Sequence, residues 1–135
     1  MESPLMLFAA HSGLRFLVLV GALFVVLYAA VGFFGKREYS SAMARLAAVF
    51  TGLMHLQLLT GFIVLFTRPF YTAIIGHLFT MLLAAAVAQF TTSVVKRRPQ
   101  EAKSYGPHLV GGLLALVFMV AGILAIGRGV LESTM

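Results

Sequence analysis

The sequence predicts an all-α protein: a transmembrane, up-down-up-down four-helix bundle with both termini on the outer, periplasmic side. Three observations carry this. The chain of 135 residues is 61% hydrophobic and only 10% charged, with a mean hydropathy of +1.01, whereas a soluble domain carries about 25% charged residues. Its apolar residues gather into four stretches, 7–34, 43–67, 70–95 and 107–127, and a bilayer core about 30 Å thick takes roughly 20 apolar residues per helix. The connections between these stretches are short, which makes consecutive helices antiparallel neighbours and leaves the first diagonal to the third. Residues 1–135 then form a single domain.

Each element has its own signals. The first stretch ends at Gly35-Lys36-Arg37, a glycine followed by basic residues, as helices commonly end. Ser40 and Ser41 are suited to cap the second helix. Arg68-Pro69 breaks that helix and leaves a very short connection to the third. The third fades into Val95 and the run Lys96-Arg97-Arg98-Pro99. Gly106-Pro107 opens the fourth, proline being favoured in a first helical turn.

The net charge of +6 does not mark a nucleic-acid binder, because of where the charge lies. Of ten Lys and Arg, seven gather in two places: Lys36, Arg37 and Arg45 around the first connection, and Lys96, Arg97, Arg98 and Lys103 in the third. Arg68 and Arg128 sit at the opposite ends, and Arg15 inside the first stretch. This is the positive-inside pattern; it places the two basic loops in the cytoplasm of a multi-pass protein of a bacterial inner membrane. The same loops suit contact with anionic lipid headgroups. The amino-terminal stretch lacks a basic leader and is longer than a signal peptide's apolar region, so no cleaved signal is expected.

The four stretches each carry one histidine: His11, His55, His77 and His108 are the only histidines of the chain. There is no cysteine and no acidic residue within the stretches; the acids are Glu2, Glu38, Glu101 and Glu132. Disulfides, thiolate-bound clusters and covalent c-type haem are thereby excluded. An ionisable residue inside a membrane span is costly and reads as functional by default. At 1.5 Å of rise per residue, His11 lies about 6 Å below the outer edge and His77 about 9 Å below it. They stand on diagonal helices at nearly equal depth, as two axial ligands of one haem b iron must. His55 falls near mid-membrane and His108 near the cytoplasmic edge, a mismatch of about 13 Å; a second haem between them requires a tilted or displaced helix. His55 is otherwise a helix–helix hydrogen-bonding residue, and His108, beside Pro107, a solvated residue at a helix start.

Arg15 follows His11 by one turn, and the sequence supplies no carboxylate at its depth. A haem propionate or a quinone oxygen suits it through a charge-assisted hydrogen bond; backbone carbonyls or a lipid phosphate are the alternative. Arg68 and Tyr71, at the outer end of the second connection, are further propionate partners. Gln57, Gln89, Thr60 and Thr80 line a polar interior or hold helices together. Met54, Met81 and Met119 are read as packing residues, with a methionine as a haem ligand the alternative. Gly13, Gly52, Gly76, Gly111 and Gly112 lie within four residues of a histidine, either for helix packing or to make room for a flat macrocycle.

The run His11-Ser12-Gly13-Leu14-Arg15, the run from His55 to Gly61, His77 early in the third helix and His108 opening the fourth resemble short bacterial membrane proteins described as cytochrome b-like. The likeness spans nearly the whole chain. The layout is also similar to one half of haem A synthase, whose four-helix halves hold haem between histidines of their first and third helices; here those positions are His11 and His77. The resemblance implies haem b ligation near the outer face. That enzyme carries a glutamate one turn before its first histidine, where this chain reads Leu7-Phe8-Ala9-Ala10, so the resemblance implies electron transfer rather than hydroxylation.

The function expected is a b-type cytochrome carrying one haem b, or two. It is an electron-transfer subunit passing electrons between quinol and a partner, with other subunits of a respiratory or photosynthetic complex around it, rather than a stand-alone enzyme. A haem-handling enzyme or assembly factor like haem A synthase is the second reading, and a non-redox accessory subunit of a larger membrane complex the third. A proton-coupled multidrug transporter is disfavoured, because no carboxylate lies inside the membrane stretches.

Overall fold

The computed structural model describes residues 2–131, with side chains from Leu5 onward. Glu132 and the side chain of Glu2 therefore lie outside the described residues. Four helices make up nearly all of it: α1 (Glu2–Phe34), α2 (Ser41–Thr67), α3 (Ile74–Arg97) and α4 (Gly106–Ala125), with a short 3-10 turn at Gln100–Ala102. No strand occurs among the described residues. All four helices are long and apolar enough to cross a membrane, the make-up of a multi-pass membrane protein.

Local chemistry sets the ends. The Arg37 N–H donates to Gly32 O at 3.0 Å, closing α1 through a left-handed residue; that residue is Lys36, at φ 53°, and not the neighbouring Gly35. Ser40, in extended backbone, caps α2 by accepting from the Met43 N–H at 3.2 Å. Arg68 is forced extended (φ −126°, ψ 155°) because the residue before a proline is excluded from the helical region. The chain then spends six residues, 68–73, in turns such as Ile74 N–H to Tyr71 O at 3.0 Å. Consequently α3 begins four residues later than residue 70. Arg98 before Pro99 repeats the device at the end of α3. At the close of α4 the chain leaves the helix two residues before 127, where Gly127 takes φ 75°.

The helices pack as a ring: α1 against α2 and α4, and α3 against the same two. Thus α1 and α3 are diagonal, as short antiparallel connections dictate. The buried seams are made by Ala22, Ala29, Ala47, Ala84, Ala85, Ala88 and Ala115 with Gly111 and Gly112. Small residues let backbones approach closely where lipid offers no hydrophobic drive between helices. Leu17, Phe24, Leu27, Phe66, Phe79, Phe90 and Val117 stand exposed, so the bundle is as apolar outside as inside, the pattern of helices solvated by lipid.

Candidate functional site

At the end of the bundle where α2 turns into α3, the four helices part around a cavity with about 200 Å³ of room for the centres of water-sized spheres. One water needs only about 10–15 Å³ by that measure; the space is ligand-sized. His11, Ser12 and Arg15 line it from α1, Gln57 from α2 and His77 from α3, and Arg68, Tyr71 and Arg128 stand around its mouth.

His11 and His77 face each other across the diagonal, their ring centroids 6.4 Å apart and their planes at 84°. Both rings are oriented through Nδ1. His77 Nδ1 lies 2.9 Å from Gly122 O, an acceptor only, so Nδ1 carries the proton. His11 Nδ1 lies 3.0 Å from Thr60 Oγ1. The Thr60 hydroxyl donates its own hydrogen to Gln57 O at 3.0 Å, so toward His11 it accepts. Each imidazole thus donates from Nδ1 to a fixed oxygen and keeps a lone pair on Nε2. An outer partner on one nitrogen that fixes tautomer and ring angle is the usual support of a metal-ligating histidine.

The polar shell is unevenly charged. Arg15 is buried, with its Cζ 4.6 Å from the Phe16 ring. Arg68 and Arg128 converge from the α2–α3 connection and the end of α4 onto the Phe8 ring, at 3.9 and 5.4 Å from its centroid. The two acids with described side chains, Glu38 and Glu101, lie in the loops at the other end. Gln57 Nε2 donates to His11 O at 2.7 Å, which turns its Oε1 the other way; that oxygen is buried and takes no hydrogen bond among the described residues.

The other two histidines are not brought together. His55 stands exposed on the outward side of α2. His108 is buried (2% exposed); its Nε2 is 2.7 Å from the Tyr39 hydroxyl and its ring stacks on Tyr39 at 5.6 Å. Tyr105 lies 5.4 Å from Tyr39 and donates to Glu38 O at 3.0 Å, tying the loop before α2 to the start of α4. Burial, and then the neighbouring Tyr105, raise the Tyr39 phenol above its ordinary pKa. The hollow beside His108 offers about 10 Å³, room for one water and not for a macrocycle.

Several residues around the site carry sequence signals too generic to single out. Thr60, read from the sequence as lining a polar interior, meets His11 there; the neighbouring Gly61 lies about 9 Å from the end of α2 at 1.5 Å of rise per residue, and depth was the signal that could have found it. A Cβ on Gly61 would sit 2.9 Å from His11 Cε1, so only glycine leaves the ring its place. Gly122 gives His77 its acceptor, and Arg128 and Phe8 complete the mouth. The glycines near histidines in sequence serve otherwise: Gly111 and Gly112 pack against Thr91 and Val26, while Gly13 and Gly52 have nothing within 4 Å of a built Cβ. Gln89 is exposed and donates to Ser93 at 2.7 Å; Thr80 bonds back to Gly76 O and His77 O. No protein-family model, curated protein or solved structure matches the chain.

Proposed function

We propose that the chain is a b-type cytochrome of a bacterial cytoplasmic membrane, an electron-transfer subunit that binds one haem b between His11 and His77. The observation behind this reading is the 6.4 Å between their centroids across one cavity. A metal–imidazole bond is about 2 Å long, and the half-widths of the rings bring two axial imidazoles on one metal to roughly 6 Å between centroids. The 84° between the ring planes would not prevent the two imidazoles from holding one metal. Two histidines are too few for zinc, which takes three or four protein ligands, and no group of three His, Cys, Asp or Glu occurs among the described residues. A macrocycle supplies the four further nitrogens that this pair lacks.

When bound, haem supplies one-electron chemistry, tuned by its axial ligands, hydrogen bonds and surrounding dielectric. The protein's part is positional. Thr60 and Gly122 O hold the imidazoles at Nδ1 and raise their basicity. Arg15, Arg68 and Arg128 offer guanidinium groups to propionates, and Tyr71 a hydroxyl. Met54, Met119 and Ile123, which line the cavity floor and are buried, keep water out on the closed side. The positive-inside charge pattern supports a cavity near the outer face, where quinol and a partner subunit of a membrane redox complex would exchange electrons with it.

The test is a reduced-minus-oxidised visible spectrum of the detergent-purified chain, with haem quantified per polypeptide. Sharp low-spin b-type bands at one haem per chain are expected. A colourless chain that stays folded after expression with ample haem overturns the reading and leaves the accessory-subunit role in its place.

A further inference from the structure

The two cavity imidazoles are set with their planes at 84°, and each is anchored on a different neighbouring helix. His11, on α1, donates from Nδ1 to Thr60 Oγ1 of α2 at 3.0 Å. His77, on α3, donates from Nδ1 to Gly122 O of α4 at 2.9 Å. Both acceptors are themselves fixed: Gly122 O belongs to a helix backbone, and Thr60 Oγ1 is held by its own donation to Gln57 O at 3.0 Å. An imidazole bound to a metal through Nε2 keeps one rotation, about the axis from the metal through the ring. Nδ1 lies off that axis, so turning the ring swings its N–H out of line with the acceptor, and a hydrogen bond weakens steeply with misalignment. On the same side of the axis, His11 Cε1 stands against the bare backbone of Gly61, where a Cβ would lie 2.9 Å away.

We propose that Thr60 and the Gly122 carbonyl are positioning groups that hold the two imidazoles crossed on one iron, and so set the electronic character of the haem. The inference rests on haem ligation by His11 and His77 and goes beyond it, because such a pair can hold iron with its rings parallel or crossed. An imidazole donates π density to a metal only at right angles to its own plane. Parallel rings therefore raise one iron d orbital above its partner, whereas crossed rings raise both alike. In the ferric state the unpaired electron is then shared between two nearly equal orbitals and spreads over all the pyrroles. No single edge of the macrocycle is favoured for electron exchange. Hydrogen bonds behind the axial ligands are among the levers by which a protein tunes haem; here they act through ring angle.

The test is the electron paramagnetic resonance spectrum of the haem-loaded, ferric full chain, frozen in detergent. Crossed rings give one isolated signal at large g, the other components being broadened away; parallel rings give an ordinary rhombic spectrum of three lines. The isolated signal is expected for the wild type. Thr60→Val, loaded to the same haem content, frees the His11 ring to turn and should shift the spectrum toward the rhombic form. Thr60→Ser keeps the hydroxyl and should retain the wild-type signal, which a loss of side-chain bulk alone would not predict. A rhombic spectrum from a low-spin wild type overturns this inference and leaves haem ligation standing. It is overturned equally if Thr60→Val keeps the wild-type signal, or if Thr60→Ser shifts as far as Thr60→Val. A wild type that takes up no low-spin haem overturns the haem reading, and this inference with it.

Discussion

The two halves of the bundle treat the same residue type in opposite ways. Toward Arg68 the helices part, and His11 and His77 each spend one nitrogen on a fixed oxygen and keep the other for the cavity. Toward the basic loops the helices close on alanine and glycine, and His108 has its Nε2 occupied by Tyr39, with room beside it for a single water. A buried histidine is thus not a ligand by virtue of burial. What separates the two settings is whether a lone pair is left facing a space large enough to fill, and that depends on the neighbours of the ring.

Exchanging histidines between the halves is the severest way to break this comparison. His11→Ala or His77→Ala should lower haem affinity at least on the order of a hundredfold, the upper range for lost support of a metal site, read as haem per chain after purification. His108→Phe, which keeps the aromatic stack, should retain full haem. Equal loss in both halves would erase the distinction.

A milder change sharpens it. Thr60→Val removes the acceptor of His11 Nδ1 and should weaken haem binding about 10- to 100-fold with the fold intact, measured by haem titration of the apoprotein. In the opposite half, Tyr39→Phe leaves His108 Nε2 buried without its 2.7 Å partner. That should cost about 1–3 kcal/mol of stability, seen as a lower unfolding midpoint in detergent with haem content unchanged.

The smallest effect is with pH. The folded-state pKa of Tyr39 is raised above its ordinary value. Its contribution to stability is therefore fully present below that ordinary value, about 10, and is lost as pH rises through the raised one. Thermal midpoints should fall above pH 10 in the wild type, and the fall should be shallower in Tyr39→Phe.

The four helices were readable because lipid solvation demands long apolar runs, and breakers such as Arg68-Pro69 and Gly106-Pro107 punctuate them in ways local sterics impose. Only their edges moved: Pro69 and the turn at Tyr71 hold α3 back to Ile74. His11 and His77 were legible as companions because helix rise is fixed and diagonal placement follows from short loops. A pairing of His55 with His108 required a displaced helix, and the bundle contains no such displacement.

Composition and hydrophobic length, both local or additive properties, thus determined the helix number, the membrane character and the position of each histidine along its helix. Tertiary structure alone decided which way each ring turns and what it meets: Thr60 and Gly122 O behind the cavity pair, Tyr39 on His108, and open surface at His55. Those choices depend on helix rotation and on the approach of residues 45 to 69 positions apart in the chain, and hydrophobic periodicity carries little of that information when every helix is apolar on all sides.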